Sequence, residues 1–293
     1  MSHSSSSKLA TAVGSTSVLL WGTLALLTQL TGGRVPPFQL LAMTFSLAFA
    51  TMLIKWLVCG QNPLRYLRQP PVVWLIGIGA LFGYHLFYFI ALAKAPAVEA
   101  SLIAYLWPLL IVLMSARLPG ETLYIAHLVG AMIAFAGCWL LIGGQQFDVA
   151  YLPGYLAAAT CALIWSSYSV ASRTLKAVPT DTVGWFCGAT AVLAWLCHLS
   201  FESSVWPQAT VEWIGVIGLG IGPVGVAFFT WDYGVKRGNL QLLGVLSYAA
   251  PLVSTLLLIL AGEASATLSV LIACLAIVGG AIIAGMAGRK SAT

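Results

Sequence analysis

The sequence predicts an all-α integral membrane protein with ten transmembrane helices, arranged as two inverted five-helix repeats with both termini on the cytoplasmic side. Three observations predict this architecture. The 293 residues are 60% apolar and only 7% charged, apolar segments of spanning length recur along the chain, and the two halves share one residue pattern. A soluble protein of this size needs far more charge to cover its surface, so lipid surrounds most of this one.

A helix that crosses a bilayer needs about 20 mainly apolar residues to span the hydrocarbon core. Ten segments meet this requirement: 11–30, 38–59, 72–93, 98–116, 123–143, 152–172, 183–200, 211–234, 240–261 and 267–287. The connections between them are short, so we expect no soluble domain. Their continuous apolar character differs from the alternating segments of about ten residues that form a membrane β-barrel.

The remaining residues are termini and short loops. SHSSSS at 2–7 predicts a disordered polar tail over residues 1–10, ahead of a full-length span rather than a cleaved signal peptide. The first repeat then covers 11–146, the second covers 150–287, and 288–293 form a C-terminal tail. Six cysteines lie in or beside the spans without a C-x-x-C motif, so we expect packing residues and neither disulfide, metal site nor cofactor.

The basic residues indicate which way the chain faces. With the N-terminus inside, only Arg34 and Lys94 lie on the outer side. Eleven lie on the inner side, namely Lys8, Lys55, Arg65, Arg68, Arg117, Arg173, Lys176, Lys236, Arg237, Arg289 and Lys290. Cytoplasmic connections carry an excess of Lys and Arg, so both termini are predicted to be cytoplasmic. This bias accounts for the net charge of +5 without a nucleic-acid partner.

An internal repeat relates the two halves of the chain. A shift of 143 residues aligns Pro108 with Pro251 and Tyr105 with Tyr248. Further pairs at this shift are Lys94 with Arg237, Tyr88 with Trp231, and Gly77-Ile78-Gly79 with Gly220-Ile221-Gly222. Each half has five spans, and because five is odd the second half enters the membrane from the opposite side. The result is an inverted-topology repeat, as many transporters have.

The aligned prolines lie in the middle of apolar spans, 98–116 and 240–261. Proline removes a backbone hydrogen bond and clashes with the preceding turn, so it breaks a helix. In lipid such a break survives where the freed backbone groups are buried or line a cavity. We expect two related breaks near the membrane midplane, although prolines in membrane helices can also merely bend them. The predicted hinge or kink residues are Gly79, Pro108, Gly222, Pro223 and Pro251.

The two halves resemble a known family. ALAKAPAVEASLIAYLWPLL with GE at 120–121, and YGVKRGNLQLLGVLSYAAPLV with GE at 262–263, look like the repeat of the drug/metabolite transporter superfamily, EamA type. Within it the first half is similar to the YddG-type exporters of aromatic amino acids. The second half departs from the first at Asn239 in place of Pro96 and at Ala250 in place of Trp107, so the halves need not contact a substrate symmetrically.

The resemblance implies a transporter in the bacterial inner membrane that exports amino acids or related metabolites through a central cavity between the halves. The two halves would rock in turn around a bound substrate, which is alternating access. The implied partners are a small-molecule substrate and the lipid bilayer. With two complete halves in one chain, we expect a functional monomer.

Aromatic side chains are the candidate lining of that cavity. Such side chains can stack on a flat ligand while their polar tips bond an amino or carboxylate group. The candidates are Trp21, Tyr84, His85, Tyr88, Tyr105, Trp107, Trp165, Trp231 and Tyr248. The alternative is that aromatics face lipid or the interface, which we favour for Trp206 and Trp213 near a helix end.

Few ionisable groups lie within the spans, where they are costly and usually face a cavity. His85 is a cavity candidate, with packing around a satisfied hydrogen bond as the alternative. Asp232 lies four residues before Lys236, which predicts an ion pair on one helix face, with a proton-coupling role as the alternative. So few acids give little support for a proton antiporter and leave facilitated diffusion open.

Three other functions compete with amino acid export. An enzyme needs paired carboxylates or a nucleophile with its base, and the spans contain no such set, so we predict no catalytic residues. Channels usually assemble around one axis with charged or carbonyl rings, whereas an inverted repeat favours alternating access. Export of a drug or another small metabolite is the main alternative. Few basic residues lie in the spans to hold a phosphate, which disfavours nucleotide-linked sugars.

Overall fold

The computed structural model describes residues 2–142, 148–262 and 264–286, and over these residues it is helical without β-strands. The fourteen α-helices of the described ranges are α1 (Ser2–Gly22), α2 (Leu24–Leu30), α3 (Pro37–Val58), α4 (Pro71–Lys94), α5 (Ala97–Ala104), α6 (Trp107–Ser115), α7 (Ile125–Ile142), α8 (Leu152–Thr174), α9 (Thr182–Phe201), α10 (Thr210–Ile221), α11 (Ala227–Arg237), α12 (Leu240–Leu246), α13 (Ala249–Leu260) and α14 (Leu268–Gly285). Short 3-10 turns lie at Pro63–Leu67 and Val149–Tyr151, and a π-helical turn at Gly222–Val226 joins α10 to α11.

Several of these helices are consecutive pieces of one predicted span. Within the described ranges, nine helices or helix pairs are long and apolar enough to cross a membrane. The helix α7 is a shorter apolar helix, and Gly143, the last residue of the span predicted there, lies outside the described residues. The chain is therefore a multi-pass membrane protein whose helices follow the predicted order.

The predicted disordered tail is helical in the structure, because α1 begins at Ser2 rather than at residue 11. Just after this segment, Thr11 Oγ1 donates to the Ser7 carbonyl at 2.9 Å, a bond within the same helix. Each residue added to an existing helix gains one backbone hydrogen bond, so an apolar helix extends into a polar segment. Met1 and the predicted C-terminal tail, 288–293, lie outside the described residues.

Two spans break at equivalent places. The first break, between α5 and α6, lies at Tyr105 and Leu106, and the second, between α12 and α13, lies at Ser247 and Tyr248. Each break comes just before a proline that occupies the first turn of the following helix, Pro108 in α6 and Pro251 in α13. Proline is tolerated in a first turn because the missing N–H has no intrahelical partner there.

The helix is not broken at Gly79, one of the predicted hinge or kink residues. The helix α4 continues through Gly79 without interruption, whereas the aligned Gly222 begins the π-helical turn. The difference follows from the next residue, which is Ala80 in α4 but Pro223 in the second half. Only the proline blocks a backbone hydrogen bond, so only the second-half copy deviates from α geometry.

The last helices of the two halves pack closely against each other. A Cβ added to Gly130 of α7 would lie 2.4 Å from the Gly280 carbonyl oxygen of α14, and one added to Gly280 would lie 2.4 Å from the Gly130 oxygen. Gly137, further along α7, faces Ala276 and Ala273, which come earlier in α14. The two helices therefore run antiparallel, with small residues allowing a close approach of their backbones.

This contact gives a matched pair of substitutions. We expect Gly280→Ala to destabilise the protein by about 1–3 kcal/mol, because its methyl group would force the two backbones apart. Gly279→Ala is the control, since a Cβ there meets nothing within 4 Å and alanine favours the helix. Thermal unfolding of both variants in detergent is the measurement. Equal melting temperatures would contradict the close contact.

Candidate functional site

Four tryptophans meet at the centre of the molecule. They are Trp21 at the end of α1, Trp107 at the start of α6, Trp165 in α8 and Trp231 in α11. Every pair of their rings is in contact, with centroids between 5.1 and 6.4 Å apart. Each half of the chain contributes two of them, so this tryptophan cluster lies where the halves join.

Hydrogen bonds to the indole nitrogens fix two of these rings. Trp21 Nε1 donates to the Pro223 carbonyl at 3.1 Å, an oxygen of the π-helical turn. Trp231 Nε1 donates to Ser169 Oγ at 3.0 Å. π-Turns inside α-helices frequently mark functional sites, and this turn places a backbone carbonyl directly against the cluster.

On one side the cluster continues into α4. The Tyr84 ring lies 6.0 Å from Trp165 and stacks on Tyr88 at the same centroid distance, with 12° between the ring planes. The Tyr88 hydroxyl is 3.1 Å from Ser101 Oγ on α5. Ser101 lies on the helix that ends at the first break, and Tyr84, Tyr88 and Ser101 are half-buried. This region supplies hydroxyl groups next to flat apolar faces.

His85 is also half-buried beside this aromatic surface. Its Nδ1 lies 2.6 Å from the Leu81 carbonyl, which can only accept, so Nδ1 carries the hydrogen. A neutral imidazole in that tautomer presents Nε2 as an acceptor. The ring meets Phe45 edge-on at 5.4 Å. The arrangement satisfies one nitrogen and leaves the other able to accept a hydrogen bond from a ligand.

The two remaining predicted tyrosines lie away from the tryptophans. Tyr105, at the first break, is half-buried against α7. Tyr248 is fully buried with its ring 5.9 Å from Phe135, and its hydroxyl accepts from the Leu109 N–H at 3.1 Å. Leu109 is in the first turn of α6, whose N–H groups have no intrahelical partner. Tyr248 therefore caps the broken helix of the other half, and its place in the cavity lining stays a prediction.

Two phenylalanines complete the aromatic surface and were missed by the sequence analysis. Phe228 lies 5.5 Å from Trp165 and stacks on Phe45, their centroids 5.8 Å apart. Phe228 comes three residues before Trp231, so the spacing places both on one helix face. That signal was available in the sequence. Phe45 has no such signal, because its neighbours come from distant helices.

Lys55, Arg173 and Lys236, three of the basic residues predicted to be cytoplasmic, form ion pairs at what we call the basic end of the molecule. Arg173, at the end of α8, forms an ion pair with Glu121 at 2.6 Å, and its Nη1 donates to the Val235 and Lys236 carbonyls at 3.3 and 3.0 Å. Gln241 Nε2 donates to the other Glu121 oxygen at 3.2 Å. One guanidinium thus joins the first half to the ends of α8 and α11.

The predicted pair of Asp232 and Lys236 is present. Lys236 Nζ lies 2.8 Å from Asp232 Oδ2, both side chains are 3% exposed, and the ammonium also donates to the Val178 carbonyl at 3.0 Å. Thr180 Oγ1 donates to the same carboxylate at 2.7 Å. A buried ion pair needs additional hydrogen bonds to offset the cost of desolvation, and here Val178 and Thr180 of the α8–α9 loop supply them. The pair therefore ties α11 to that loop.

A second tie at the basic end joins α3 to the residue before α9. Lys55 Nζ lies 2.6 Å from Asp181 Oδ2, and Trp56 Nε1 donates to the same oxygen at 3.3 Å. Burial alone would raise the pKa of Asp181, but the hydrogen bonds from Lys55, Tyr66 and Trp56 outweigh it and hold that pKa below its usual value. Asp181 therefore stays ionised at neutral pH, and the pair persists there.

The opposite end is held by two separate groups of contacts. Arg34 pairs with Glu212 at 2.6 Å, and Glu202 accepts from two backbone N–H groups in the first turn of α3 at 2.9 and 3.0 Å. Across the molecule, Tyr155 of α8 donates to Glu99 of α5. The buried apolar residues beside these groups form two separate clusters rather than one.

These features define what the site can bind. Its centre offers aromatic faces and a few neutral polar atoms, namely the Tyr84 and Tyr88 hydroxyls, Ser101 Oγ and His85. Flat apolar ligands with an amino or carboxylate group fit such a surface by stacking and hydrogen bonding. Among the described residues, no three His, Cys, Asp or Glu side chains cluster as a metal site.

Comparisons with known proteins agree with this architecture. The model of the EamA-like transporter family matches the chain twice, over residues 9–143 and 152–286. A crystal structure of a protein 57% identical in sequence has the same fold, with a TM-score of 0.91 and coverage of 96% of this chain and 98% of that one.

Two relatives have names that state what they transport. The protein named aromatic amino acid exporter YddG from Ancylobacter novellus is 57% identical over 285 residues, which cover 96% of this chain and 98% of that protein. The protein of the same name from Salmonella typhimurium is 27% identical over 267 residues, covering 86% of this chain and 88% of its own. Both similarities extend over both halves.

Proposed function

Because the chain belongs to the EamA-like transporter family, we propose that it exports aromatic and other neutral amino acids from the cytoplasm by alternating access. The observation that carries the proposal is the aromatic site between the halves, in a chain that is similar over nearly its whole length to a relative named as an aromatic amino acid exporter. An aromatic side chain would stack among the tryptophans, and its backbone groups would bond the tyrosine hydroxyls and His85.

We propose that all ten apolar helices cross the bilayer, with the second half inverted relative to the first. The family model matches each half separately, and α7 and α14 run antiparallel, as an inverted repeat requires. The basic end then faces the cytoplasm together with both termini, because cytoplasmic loops carry the excess of Lys and Arg. The membrane is the bacterial inner membrane, and one chain contains both halves of the transporter.

We propose that this conformation is a state of the cycle that is closed to the cytoplasm. At the basic end, ion pairs tie α8, α11, α3 and the α8–α9 loop together, and the side chains of Asp232 and Lys236 are almost fully buried. At the opposite end the buried residues form two separate clusters, with half-buried Tyr84, His85 and Tyr88 at the centre of the molecule. A substrate at the centre would thus be closed off from the cytoplasm.

Counterflow in proteoliposomes tests the proposal. Vesicles that contain the purified protein and unlabelled phenylalanine should take up labelled phenylalanine saturably, and unlabelled tryptophan should compete, because a carrier exchanges substrate across the membrane in both directions. Labelled threonine tests whether smaller neutral amino acids are also carried. Protein-free vesicles give the background.

Two outcomes would contradict the proposal. Absence of exchange for every amino acid, in protein that still melts cooperatively, would point to a drug or another small metabolite as substrate. Flux that does not saturate and carries electrical current far above carrier rates would indicate a channel.

A further inference from the structure

A cleft of about 630 Å³ opens at the basic end, away from the aromatic site. Its walls come from the end of α3, the turn at Pro63–Leu67, the α8–α9 loop and the end of α11. Three cationic side chains line it, Lys55, Arg65 and Arg237, against one acid, Asp181. The lining thus has an excess of positive charge at the level where the spans end.

The charged groups of the cleft differ in whether they have an ion-pair partner. Lys55 and Asp181 pair with each other at 2.6 Å. The Arg65 guanidinium lies over the Tyr66 ring, 4.5 Å from its centroid, and Arg237 lies over Tyr233 at 4.7 Å. Neither arginine forms an ion pair with a carboxylate in the part of the chain that the structure describes. Arg65 also donates to the Tyr66 hydroxyl. Because a guanidinium has five N–H donors, both arginines can still bind an anion.

The same contacts argue against a zwitterionic amino acid in this cleft. An amino group would need a free carboxylate, and Asp181 already accepts from Lys55 and from Trp56 at 3.3 Å. A phosphate group would need only donors, and planar guanidinium groups match its oxygens in pairs. The charge balance thus selects an anion rather than the transported substrate.

Exposed apolar residues are close in sequence to the α3 and turn residues that line the cleft. Leu57 and Val58, at the end of α3, are 76% and 80% exposed, and Leu64, beside Arg65, is 59% exposed. A free phosphate ion would gain nothing from contact with these apolar side chains and is much smaller than the cleft. A phospholipid in the same leaflet has both a phosphate and acyl chains that would cover these side chains. Basic pockets at the cytoplasmic ends of membrane helices bind anionic headgroups in this way.

We propose that this cleft binds the phosphate-bearing headgroup of an anionic phospholipid through Arg65 and Arg237. The headgroup would join the turn after α3 to the end of α11. The α8–α9 loop already bonds to α3 through Asp181 and to α11 through Thr180 and Asp232. An anionic lipid would therefore stabilise the closed basic end without entering the aromatic site. The proposal does not depend on which substrate the protein carries.

Native mass spectrometry of the delipidated full chain tests the proposal with two lipids of equal acyl chains, phosphatidylglycerol and phosphatidylcholine. We expect phosphatidylglycerol to bind more tightly. In the double variant Arg65→Gln/Arg237→Gln its affinity should fall about tenfold or more, since two charge-assisted contacts are lost. The control is Arg68→Gln/Arg117→Gln, which removes the same charge from exposed cytoplasmic positions outside the cleft and should keep the wild-type affinity.

Further measurements separate a lipid from a free ion. Inorganic phosphate and glycerol phosphate, added in thermal melts, should protect the protein less than phosphatidylglycerol does. Equal protection by inorganic phosphate would overturn the lipid assignment, as would equal affinity for phosphatidylcholine. Unchanged phosphatidylglycerol binding in the cleft variant would overturn the site. If the double variant does not fold, the single variant Arg237→Gln, at an exposed position, should show part of the same loss.

Discussion

Replacement of Trp107 by alanine should nearly abolish amino acid exchange. Trp107 contacts Trp21, Trp165 and Trp231 with centroid distances of 6.0, 6.4 and 5.6 Å, so it touches every other member of the cluster. The change removes a stacking face for the substrate and loosens the three rings that remain. Loss of about 2–3 kcal/mol of binding would lower exchange roughly 30- to 150-fold.

The experiment is phenylalanine counterflow with wild type, Trp107→Ala and Trp107→Phe, each checked by thermal unfolding. Trp107→Phe keeps an aromatic face and should retain intermediate activity. Trp206→Ala is the control, because it is the same chemical change outside the site. Trp206 is 49% exposed and lies between α9 and α10. Exchange by folded Trp107→Ala at the wild-type rate would show that the substrate binds elsewhere.

Local sequence patterns predicted much of this fold. Apolar runs gave the positions of the spans, and the two aligned prolines, Pro108 and Pro251, predicted a pair of breaks that the structure confirms. The pair of Asp232 and Lys236 followed from a spacing of four residues within one helix. These features depend on neighbours along the chain, so the residue order contains the information needed to find them.

The internal repeat predicted less where the two halves differ in chemistry. Tyr248 aligns with Tyr105, but its hydroxyl bonds to Leu109, a residue of the other half that no spacing connects to it. Gly79 aligns with Gly222, but the following residue decides whether the helix deviates. A duplicated backbone therefore predicts where breaks and faces lie, whereas the partner of each side chain depends on packing between helices distant in sequence.

The closure of the basic end also depends on such distant contacts. Arg173 and Glu121 are 52 residues apart, and neither lies in a pattern that indicates the other. Eleven basic residues predicted which end faces the cytoplasm, but not which of them ties that end shut. At the basic end, the guanidinium that joins the two halves is that of Arg173, so its removal gives the second large expected effect.

Replacement of Arg173 by alanine should open the basic end. The variant leaves Glu121, whose side chain is 14% exposed, without its ion pair and frees the carbonyls of Val235 and Lys236. An unpaired, largely buried carboxylate favours a state in which water reaches it. A shift of about 2 kcal/mol, reduced from the value for a fully buried pair, changes the ratio of closed to open molecules roughly thirtyfold.

Labelling of a buried cysteine measures this shift. Ser169 is fully buried, bonds to Trp231 of the tryptophan cluster and lies one helical turn before Arg173 in α8. In a chain without the six native cysteines, Ser169→Cys should react slowly with a maleimide added from the proposed cytoplasmic side. Adding Arg173→Ala should speed the reaction about tenfold or more, in line with the population change. Lys176→Ala removes an exposed charge three residues away and should leave the rate unchanged.

A charge exchange completes the argument. In Glu121→Arg/Arg173→Glu the ion pair can form again, while the hydrogen bonds from residue 173 to the α11 carbonyls cannot. We therefore expect a labelling rate between those of the parent and Arg173→Ala, because both kinds of contact hold the end closed. If Arg173→Ala labels no faster than the parent, closure rests on the buried pair of Lys236 and Asp232 and on Lys55 with Asp181, and the tie between Arg173 and Glu121 is not what keeps the substrate from the cytoplasm.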